Sequence, residues 1–506
     1  MKNVLASFAI GCALLLAGCD AQQNELALQR RALQLRTQEL AAEFHACPRT
    51  STSLAPALRA DSRCLEFKVA ENPAQPDGRQ LSLQVMVVPA IRALPEADPL
   101  VILVGGPGQA ATVDGVALIP IFQRVRQHRD ILLVDQRGTG PLSPLDCKPP
   151  DDSGLWNDAT ELVLQVQNEF LENCLRSVDA DPRYYTTDLA VADLEAIRQY
   201  LGYSQLNLWG VSYGTRVALT YLKYQSEHVR TVVIDGVAPP GILPLAAAND
   251  GGLALQRVLS LCGEEAGCSA AFPDLRSHFD ELMNRYATPQ SITFTNASTG
   301  VSAPMLLSAG MLQGALFNLL YSRETARLIP LTIERAYARD FAVFGALQAA
   351  ADQVNTLMHF SVICSEDIPL LDAGAVEAAR GSFVYDTLVV PRIEGCKIWP
   401  SRQLPADFFT PVVSDKPVLL FSASQDPVTP KHWADQVAAT LGNSVSVEAR
   451  GVGHGVFAYG CAADLVADVV ESGSVQDLDT ACLDELGTRP FFVNVNGSVV
   501  ADDQGQ

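Results

Sequence analysis

The feature that most constrains the fold is a series of short apolar runs, each followed at once by a polar or glycine-rich loop. Five such runs begin at Leu100, Ile131, Leu206, Thr231 and Pro417, and they read LVILV, ILLV, LNLWGV, TVVI and PVLLF. Continuous apolar runs of this length are typical of parallel strands that are buried on both faces. Upstream, CLEFKVA and LSLQVMVV alternate apolar with other residues around a turn-rich segment, which predicts an antiparallel hairpin.

Helical patterns separate these predicted strands. Leu194, Ile197 and Leu201 recur at helical spacing before Gly202, which suits a helix C-terminus. The alternation of strands and helices predicts an α/β fold with a mostly parallel, doubly wound sheet. Functional loops are therefore expected at the carboxyl ends of the strands.

The alternation stops near Pro239 and resumes near Pro417. The residues between are mainly helical in pattern, which predicts an inserted helical cap over 239–405. The core is then expected in two parts, 47–238 and 406–506.

The N-terminus has the layout of an export signal. Lys2 precedes a short apolar stretch, and residues 16–19 read LAGC, which resembles the lipobox of bacterial lipoproteins. That resemblance implies removal of residues 1–18, lipidation of Cys19, and a membrane-anchored protein facing the periplasm of a Gram-negative bacterium. Residues 19–46 lack proline and include a helix-forming stretch. They are expected to form a tether helix or to pack on the fold.

Charge and cysteine content narrow the class further. The 506-residue chain has a formal net charge of -21, which argues against a nucleic-acid partner because phosphate binding needs clustered Lys and Arg.

An even set of cysteines in an exported protein suggests disulfides, and the spacing favours pairing of cysteines that are neighbours in the sequence. The sequence has no CxxC and no histidine at zinc-ligand spacing, so neither a metal nor another cofactor is predicted. The ten candidate cysteines are Cys47, Cys64, Cys147, Cys174, Cys262, Cys268, Cys364, Cys396, Cys461 and Cys482.

Residues 210–214, GVSYG, match the G-x-S-x-G elbow between an apolar strand and a helical pattern. At such a turn the Ser212 hydroxyl stands exposed, and the N–H of Tyr213 points toward a developing oxyanion. A serine nucleophile also needs a base. Of seven histidines, His454 lies in a late glycine-flanked loop, GVGHG, and is the predicted base.

An acid that orients the base should follow a strand. Asp426, in SASQDPVTP, does so 28 residues before His454, while Asp235 also follows a strand and is the main rival. The loop GGPG after LVILV is placed to give a second oxyanion donor. The N–H of Gly106 is favoured over that of Gly105, and Pro107 has no N–H to offer.

Together, GGPG, DQRGTG, GVSYGT, QDPVTP and GVGHG resemble the proline iminopeptidase and tripeptidyl aminopeptidase group of α/β-hydrolases, from about Cys64 to Cys482. The resemblance implies an α/β-hydrolase fold and release of N-terminal residues through an acyl-enzyme. Within DQRG, Asp135 and Arg137 are expected to brace the site loops. Val104 departs from the histidine that proline iminopeptidases often carry there, so the specificity stays open.

An exopeptidase of this group would recognise a free amino terminus, so the expected partner is a peptide with a free N-terminus. The resemblance places acidic residues of the cap near the substrate amine, which makes Glu366 the first candidate and Asp367 the second. Two other interpretations remain. One is a lipid-anchored esterase or lipase with the same three residues, and the other is a lipoprotein that keeps the fold without catalysis. The sequence does not indicate an oligomeric state.

Overall fold

A nine-stranded sheet forms the centre of the protein in the computed structural model, with strand order β1-β2-β3-β5-β4-β6-β7-β10-β11. The structure describes residues 24–47, 61–147, 160–295, 300–342 and 354–498. Strands β1 to β3 and β5 pair antiparallel, and β5, β4, β6, β7, β10 and β11 pair parallel in that order. The predicted hairpin and the five predicted strands are therefore confirmed.

The strands of this sheet are short and mostly buried. They are β1 (His45–Ala46), β2 (Arg63–Ala70), β3 (Gln80–Val88), β4 (Leu100–Leu103), β5 (Ile131–Val134), β6 (Leu206–Val211), β7 (Val229–Asp235), β10 (Val418–Ala423) and β11 (Ser444–Ala449). A separate antiparallel pair, β8 (Gln290–Thr295) and β9 (Ser302–Leu307), lies in the insertion, which was predicted to be mainly helical.

Helices lie between the strands and fill the insertion. Those of the core are α1 (24–39), α2 (Gln123–Arg126), α3 (Thr160–Ser177), α4 (Thr187–Leu201), α5 (Tyr213–Tyr224), α15 (Lys431–Ala438), α16 (Ala462–Ser472) and α17 (Ala481–Asp484). Those of the insertion are α6 (Leu243–Glu264), α7 (Ala266–Ala271), α8 (Leu275–Arg285), α9 (Ala309–Leu320), α10 (Arg323–Ala326), α11 (Ile329–Tyr337), α12 (Thr356–Glu366), α13 (Ala373–Ala378) and α14 (Val390–Gly395).

Helix α4 ends as its sequence predicts. Gly202 adopts a left-handed conformation with φ 81° and donates its N–H to the carbonyls of Arg198 and Gln199. The apolar side chains of α4 pack in the same buried cluster as those of α5. The two helices thereby cover the sheet beside the elbow.

Helix α1 packs on the core. Leu33 and Leu40 are each only 3% exposed and belong to the main core cluster. The Arg30 Nε donates to Glu96 Oε2 at 2.8 Å, and the Arg36 Nε donates to the Tyr200 carbonyl at 2.8 Å. Of the two expectations for this segment, packing on the fold is the one that the structure shows for residues 24–46.

The insertion is not a single separate unit. Helices α6, α9 and α11 share an apolar cluster of their own. In contrast, α12 contributes Leu357, Met358 and Phe360 to the cluster that covers the sheet, together with Trp399. The C-terminal part of the predicted cap is therefore part of the core packing, because α12 is apolar enough to be buried against the sheet.

Five disulfides join neighbouring cysteines in sequence order. They are Cys47–Cys64, Cys147–Cys174, Cys262–Cys268, Cys364–Cys396 and Cys461–Cys482. This is the order of pairing that the spacing suggested. Cys364–Cys396 links the end of α12 to the residue after α14, so it fixes these two insertion helices to each other.

Cys19 and the predicted signal segment lie outside the described residues. Among the helices that the structure describes, none is long and apolar enough to cross a membrane. The described part of the protein also contains no group of three or more His, Cys, Asp or Glu side chains that could hold a metal ion.

Candidate active site

Ser212 occupies a strained turn between β6 and α5. Its φ of 56° and ψ of -127° lie in a region that non-glycine residues rarely adopt, and such strain typically costs ~1–3 kcal/mol. Its N–H donates to the Asp235 carbonyl at 2.9 Å, and its carbonyl accepts the N–H of Thr215 at 2.9 Å. The residue is partly exposed while its neighbours in α5 are buried, so the turn presents the hydroxyl at the carboxyl edge of the sheet.

The two glycines of the motif are required by close packing. A Cβ on Gly210 would lie 2.4 Å from the Gly214 carbonyl oxygen, and a Cβ on Gly214 would lie 2.1 Å from the Leu103 carbonyl oxygen. Distances this short are not tolerated between real atoms. The glycines therefore allow α5 to approach β6 and β4 closely enough to form the elbow.

Asp426 follows β10 and His454 lies in the loop after β11, and their side chains contact each other. The His454 Nδ1 lies 2.9 Å from Asp426 Oδ2, and the two side chains are 10% and 0% exposed. Asp426 Oδ1 also accepts the N–H groups of Val428 and Thr429 at 2.8 and 2.9 Å. Burial disfavours ionisation of Asp426, but the charge and hydrogen bond of His454 and these backbone donors outweigh it, so the pKa of Asp426 is lowered.

Asp235, the rival acid, binds backbone N–H groups. Its carboxylate accepts the N–H groups of Val456 and Phe457, each at 2.8 Å. Its carbonyl holds the N–H of Ser212. One residue at the end of β7 thus fixes both the elbow and the loop that carries His454, while the imidazole itself is bonded to Asp426.

The GGPG loop lies against the elbow. A Cβ on Gly105 would be 3.1 Å from the Cβ of Ser212, and Gly106 has a φ of 105° that favours glycine. The Gly105 N–H donates to the Gln109 side chain at 2.9 Å. Gly105 is therefore already bonded and does not suit the role of oxyanion donor, whereas Gly106 and Tyr213 remain the predicted pair.

Glu366 and Asp367 do not form an open amine site. Asp367 binds the Arg216 guanidinium through both oxygens at 2.9 Å, and Glu366 Oε2 lies 3.1 Å from Arg216 Nη1. Thr187 donates its N–H and its hydroxyl to Glu366 at 2.7 and 2.8 Å, and both carboxylates are 0% exposed. Burial raises the pKa of Glu366 to about 7, an effect that Arg216 and Thr187 only partly offset.

The prediction that these two residues bind a substrate amine conflicts with this arrangement. Their oxygens are occupied by Arg216, which lies on α5 one turn after Ser212, and by Thr187 at the start of α4. The resemblance implied that they lie in the cap with their carboxylates open to a substrate amine. The structure instead buries them at the end of α12, where they support the helix that follows the elbow.

Asp135 and Arg137 brace loops as expected. The Asp135 carboxylate accepts the N–H and the hydroxyl of Thr112, each at 2.7 Å. Arg137 binds both oxygens of Asp193 at 2.7 Å and is 1% exposed. These bonds fix the DQRG loop to the segment after GGPG and to α4.

Two site residues were not predicted from the sequence. The Thr429 hydroxyl donates to Asp426 at 2.8 Å and lies 3.1 Å from His454 Nδ1. The Tyr321 carbonyl accepts the His454 N–H at 2.7 Å, and its ring packs edge-on against the imidazole. Thr429 could have been found, because it follows Asp426 by three residues in QDPVTP. Tyr321 comes from the insertion and gives no local signal.

The sheet and the elbow define an α/β-hydrolase fold, and comparisons with known families agree with it. Residues 98–259 match the family model described as alpha/beta hydrolase fold, and residues 382–482 match the model described as TAP-like protein. The first segment includes Ser212, and the second includes Asp426 and His454. The two matches therefore cover the parts of the sequence that form the site.

Several curated relatives are named as peptidases. Serine protease Hip1 of Mycobacterium tuberculosis is 28% identical over 224 residues, which is 40% of this chain and 42% of Hip1. The tripeptidyl aminopeptidase of Streptomyces coelicolor is 27% identical over 191 residues, or 35% of each protein. A probable proline iminopeptidase of the same organism is 30% identical over 144 residues, 28% of this chain and 34% of that one. The matches thus span well under half of each relative.

Proposed function

We propose that this protein is a serine exopeptidase that releases N-terminal residues, a proline or a short peptide, from peptide substrates. The observation that carries the proposal is that Asp235 bonds both the strained, partly exposed Ser212 and the loop of His454, whose imidazole is bonded to Asp426. The peptidase names of the relatives support the choice of peptide over other acyl substrates. The number of residues released is the point on which those relatives differ.

In the proposed mechanism, the Ser212 hydroxyl attacks the peptide carbonyl carbon and His454 takes the hydroxyl proton. Asp426 remains ionised and stabilises the resulting imidazolium. The N–H groups of Tyr213 and Gly106 bind the oxyanion of the tetrahedral intermediate, where each donor typically contributes ~2.7–4 kcal/mol. His454 then protonates the leaving amine as the C–N bond breaks, and water hydrolyses the acyl-enzyme by the same steps.

A labelling experiment tests the nucleophile. A fluorophosphonate probe is expected to label the wild-type protein and the control Ser226→Ala, but not Ser212→Ala, because only an activated serine reacts. The Ser212→Ala variant should also lose at least about 10⁴-fold in kcat. An unlabelled wild-type protein would instead favour the interpretation of a lipoprotein without catalysis.

A substrate panel tests the exopeptidase activity. Fluorogenic Pro-, Ala- and Ala-Ala-Pro- substrates are compared with their N-acetylated forms and with simple esters. Cleavage of the free-amine forms alone is expected, and the preferred member of the panel gives the number of residues released. Activity on blocked peptides or esters only would replace the proposal with the esterase interpretation.

We also propose that the protein is an exported lipoprotein anchored at Cys19, facing the periplasm. The LAGC sequence supports this, and five disulfides suit an oxidising compartment. In a bacterial host, metabolic labelling with a clickable fatty acid should mark the wild-type protein and not Cys19→Ser, with Cys12→Ser as the matched control. Equal labelling of all three would contradict the assignment.

A further inference from the structure

Four basic side chains of the insertion have a buried nitrogen atom that lacks a hydrogen-bond partner within the described residues. In Arg323 and Arg402 the Nη2 atom is nevertheless bonded to carbonyl or carboxylate oxygens. The other two atoms are the Nη1 of Arg392 on α14 and the Nδ1 of His359 on α12. Both residues are partly exposed overall, so each lies at the boundary between the packed interior and open space. Buried polar atoms in native proteins are normally bonded, and an exception calls for an explanation such as a missing ligand.

Arg392 also lacks an ion-pair partner. No Asp or Glu oxygen of the described residues lies within 4.0 Å of its guanidinium, whereas Arg137, Arg198 and Arg216 each bind a carboxylate. Asp367 is the nearby carboxylate, but both of its oxygens bind Arg216. A shielded cation without a counter-charge is costly unless a ligand supplies one.

Arg392 lies on a helix that packs against α12, and α12 borders the candidate active site. The charge of Arg392 acts on His359 of α12 and on Tyr321, whose carbonyl accepts the backbone N–H of His454. Asn355, directly before α12, donates its N–H to the Gly108 carbonyl at 2.9 Å. Arg392 therefore lies on the helix that packs against α12, which is itself joined to the GGPG loop.

His359 does not provide a second positive charge. Burial, the charge of Arg392 and that of Arg216 lower the pKa of His359 to about 3, and a hydrogen bond to the Pro107 carbonyl opposes this only in part. The imidazole is neutral at physiological pH, with its Nδ1 left as an acceptor for an N–H group. Recognition of an anion thus depends on Arg392, next to an acceptor that suits a peptide N–H.

The helix that carries Arg392 is fixed to α12 by a disulfide and by close packing. The Cys364–Cys396 disulfide joins the ends of α12 and α14, and Gly395 packs so closely on the Phe360 ring that a Cβ there would lie 2.3 Å from it. The backbone that carries Arg392 is therefore fixed relative to α12, which reduces the backbone entropy lost when the guanidinium binds a carboxylate.

We propose that Arg392 binds a carboxylate of the substrate, and this inference rests on the proposed peptidase function of the same site. The substrates would be short peptides with an anionic group near the scissile bond. The carboxylate can be the terminal carboxylate of a short peptide or an acidic side chain, and both present the same chemistry to the guanidinium.

The test uses substrates in matched pairs. Peptides that begin Ala-Ala-Pro and continue for one to three alanines are compared as free acids and as C-terminal amides. A second set, all amidated, carries Glu or Gln after the proline. The wild-type enzyme is expected to prefer the carboxylate member of one set by roughly 10- to 100-fold in kcat/KM, the usual range for a charged hydrogen-bonded pair.

The preference should depend on Arg392. In Arg392→Met the carboxylate-to-amide ratio is expected to fall toward one, in Arg392→Lys it should be partly retained, and in the exposed control Arg276→Met it should stay at the wild-type value. Loss of the preference for free acids over amides identifies the terminal carboxylate as the group bound. Loss of the preference for Glu over Gln identifies an acidic side chain. A wild-type enzyme without preference in either set, or an Arg392→Met variant that keeps it, overturns the proposal.

The proposal can also be separated from the peptidase assignment. Hydrolysis of 4-butyryloxybenzoate and of its methyl ester compares a carboxylate with a neutral group on the leaving side of the bond that the same serine attacks. If no peptide is cleaved but the carboxylate ester is preferred by the wild-type enzyme and not by Arg392→Met, the peptidase function fails and the carboxylate site stands. If peptides are cleaved without any carboxylate preference, the peptidase function stands and the carboxylate site fails.

Discussion

Thr429 contacts both members of the Asp426–His454 pair with a single hydroxyl. It donates to Asp426 Oδ2 at 2.8 Å and lies 3.1 Å from His454 Nδ1. The hydroxyl thus fixes the carboxylate oxygen that orients the imidazole. A residue in this position acts through the catalytic groups and does not need to touch the substrate.

Removal of this hydroxyl should weaken catalysis. We expect Thr429→Val, which keeps the side-chain shape, to lower kcat by roughly 10- to 100-fold, because hydrogen bonds to charged groups contribute about 1.5–3 kcal/mol. The decrease should fall on kcat more than on KM, measured in steady state on the preferred substrate. Thr429→Ser restores the hydroxyl and should recover most of the activity. A valine variant within twofold of wild type would show that Asp426 and His454 are held without Thr429.

At the scale of the element, helix α1 is the segment whose role the sequence left open. Its buried face meets the core through Leu33, as does Leu40 in the 3₁₀ turn that follows the helix, whereas Leu28 is 68% exposed. The ion pair to Glu96 and the bond to the Tyr200 carbonyl add specific contacts on its flanks. The helix therefore belongs to the folded domain, and any link to a membrane would come from the residues before it.

A pair of alanine substitutions in α1 tests this packing. Leu33→Ala should lower the free energy of unfolding by about 2–4 kcal/mol, because it removes buried apolar atoms and leaves a cavity. Leu28→Ala should change it by less than about 0.5 kcal/mol. Both values are measured by urea denaturation with the disulfides intact. Equal, small effects of the two substitutions would indicate a helix that does not pack on the core.

At the scale of the whole molecule, two buried carboxyl groups, those of Asp135 and Asp235, have no Lys or Arg partner within the described residues. Burial, with the nearby charge of Asp114, raises the pKa of Asp135 to about 6, although hydrogen bonds from Thr112 oppose the shift. Burial likewise raises the pKa of Asp235 to about 6 against the bonds from Val456 and Phe457. Between pH ~4 and ~6 the folded state therefore holds protons at these groups that the unfolded state has released.

The direction in which the unfolding free energy changes with pH follows from the difference in proton binding between the folded and unfolded states. Because the pKa of Asp135 is raised in the folded state, its contribution to stability is present below pH ~4 and is lost as the pH rises through about 6. In Asp135→Asn the position does not titrate. The unfolding free energy of the wild type should therefore fall relative to that of this variant by about 2 kcal/mol between pH 4 and 7.

Urea denaturation of both proteins at several pH values measures this difference. Glu448→Gln, a change at a partly exposed position on β11, serves as the control and should run parallel to the wild type. A wild-type curve that runs parallel to that of Asp135→Asn would mean that Asp135 is ionised in the fold throughout this range.

Much of this molecule could be predicted from its local sequence. Apolar runs ending in polar loops indicated the parallel strands, and the spacing of Gly210, Ser212 and Gly214 indicated the elbow, because both patterns reflect backbone geometry over a few residues. The order Ser212, Asp426, His454 in the sequence allowed the three residues to be chosen, since each follows a strand whose end lies at the same edge of the sheet. Neighbouring cysteines paired for a similar reason, since short sequence separations keep them close.

Only the tertiary structure decided how the side chains of the insertion are used. Glu366 and Asp367 had the right charge for a substrate amine, but they lie where Arg216 of α5 is buried. Their carboxylates form ion pairs with Arg216. Arg392 gave no signal in the sequence and is left without a carboxylate among the described residues. The sequence determined the strands, the elbow and the expected chemistry of Ser212, because these depend on contacts between residues that are near one another in sequence. The partner of each buried charge depends on which distant elements pack together, and that is settled only when the protein folds.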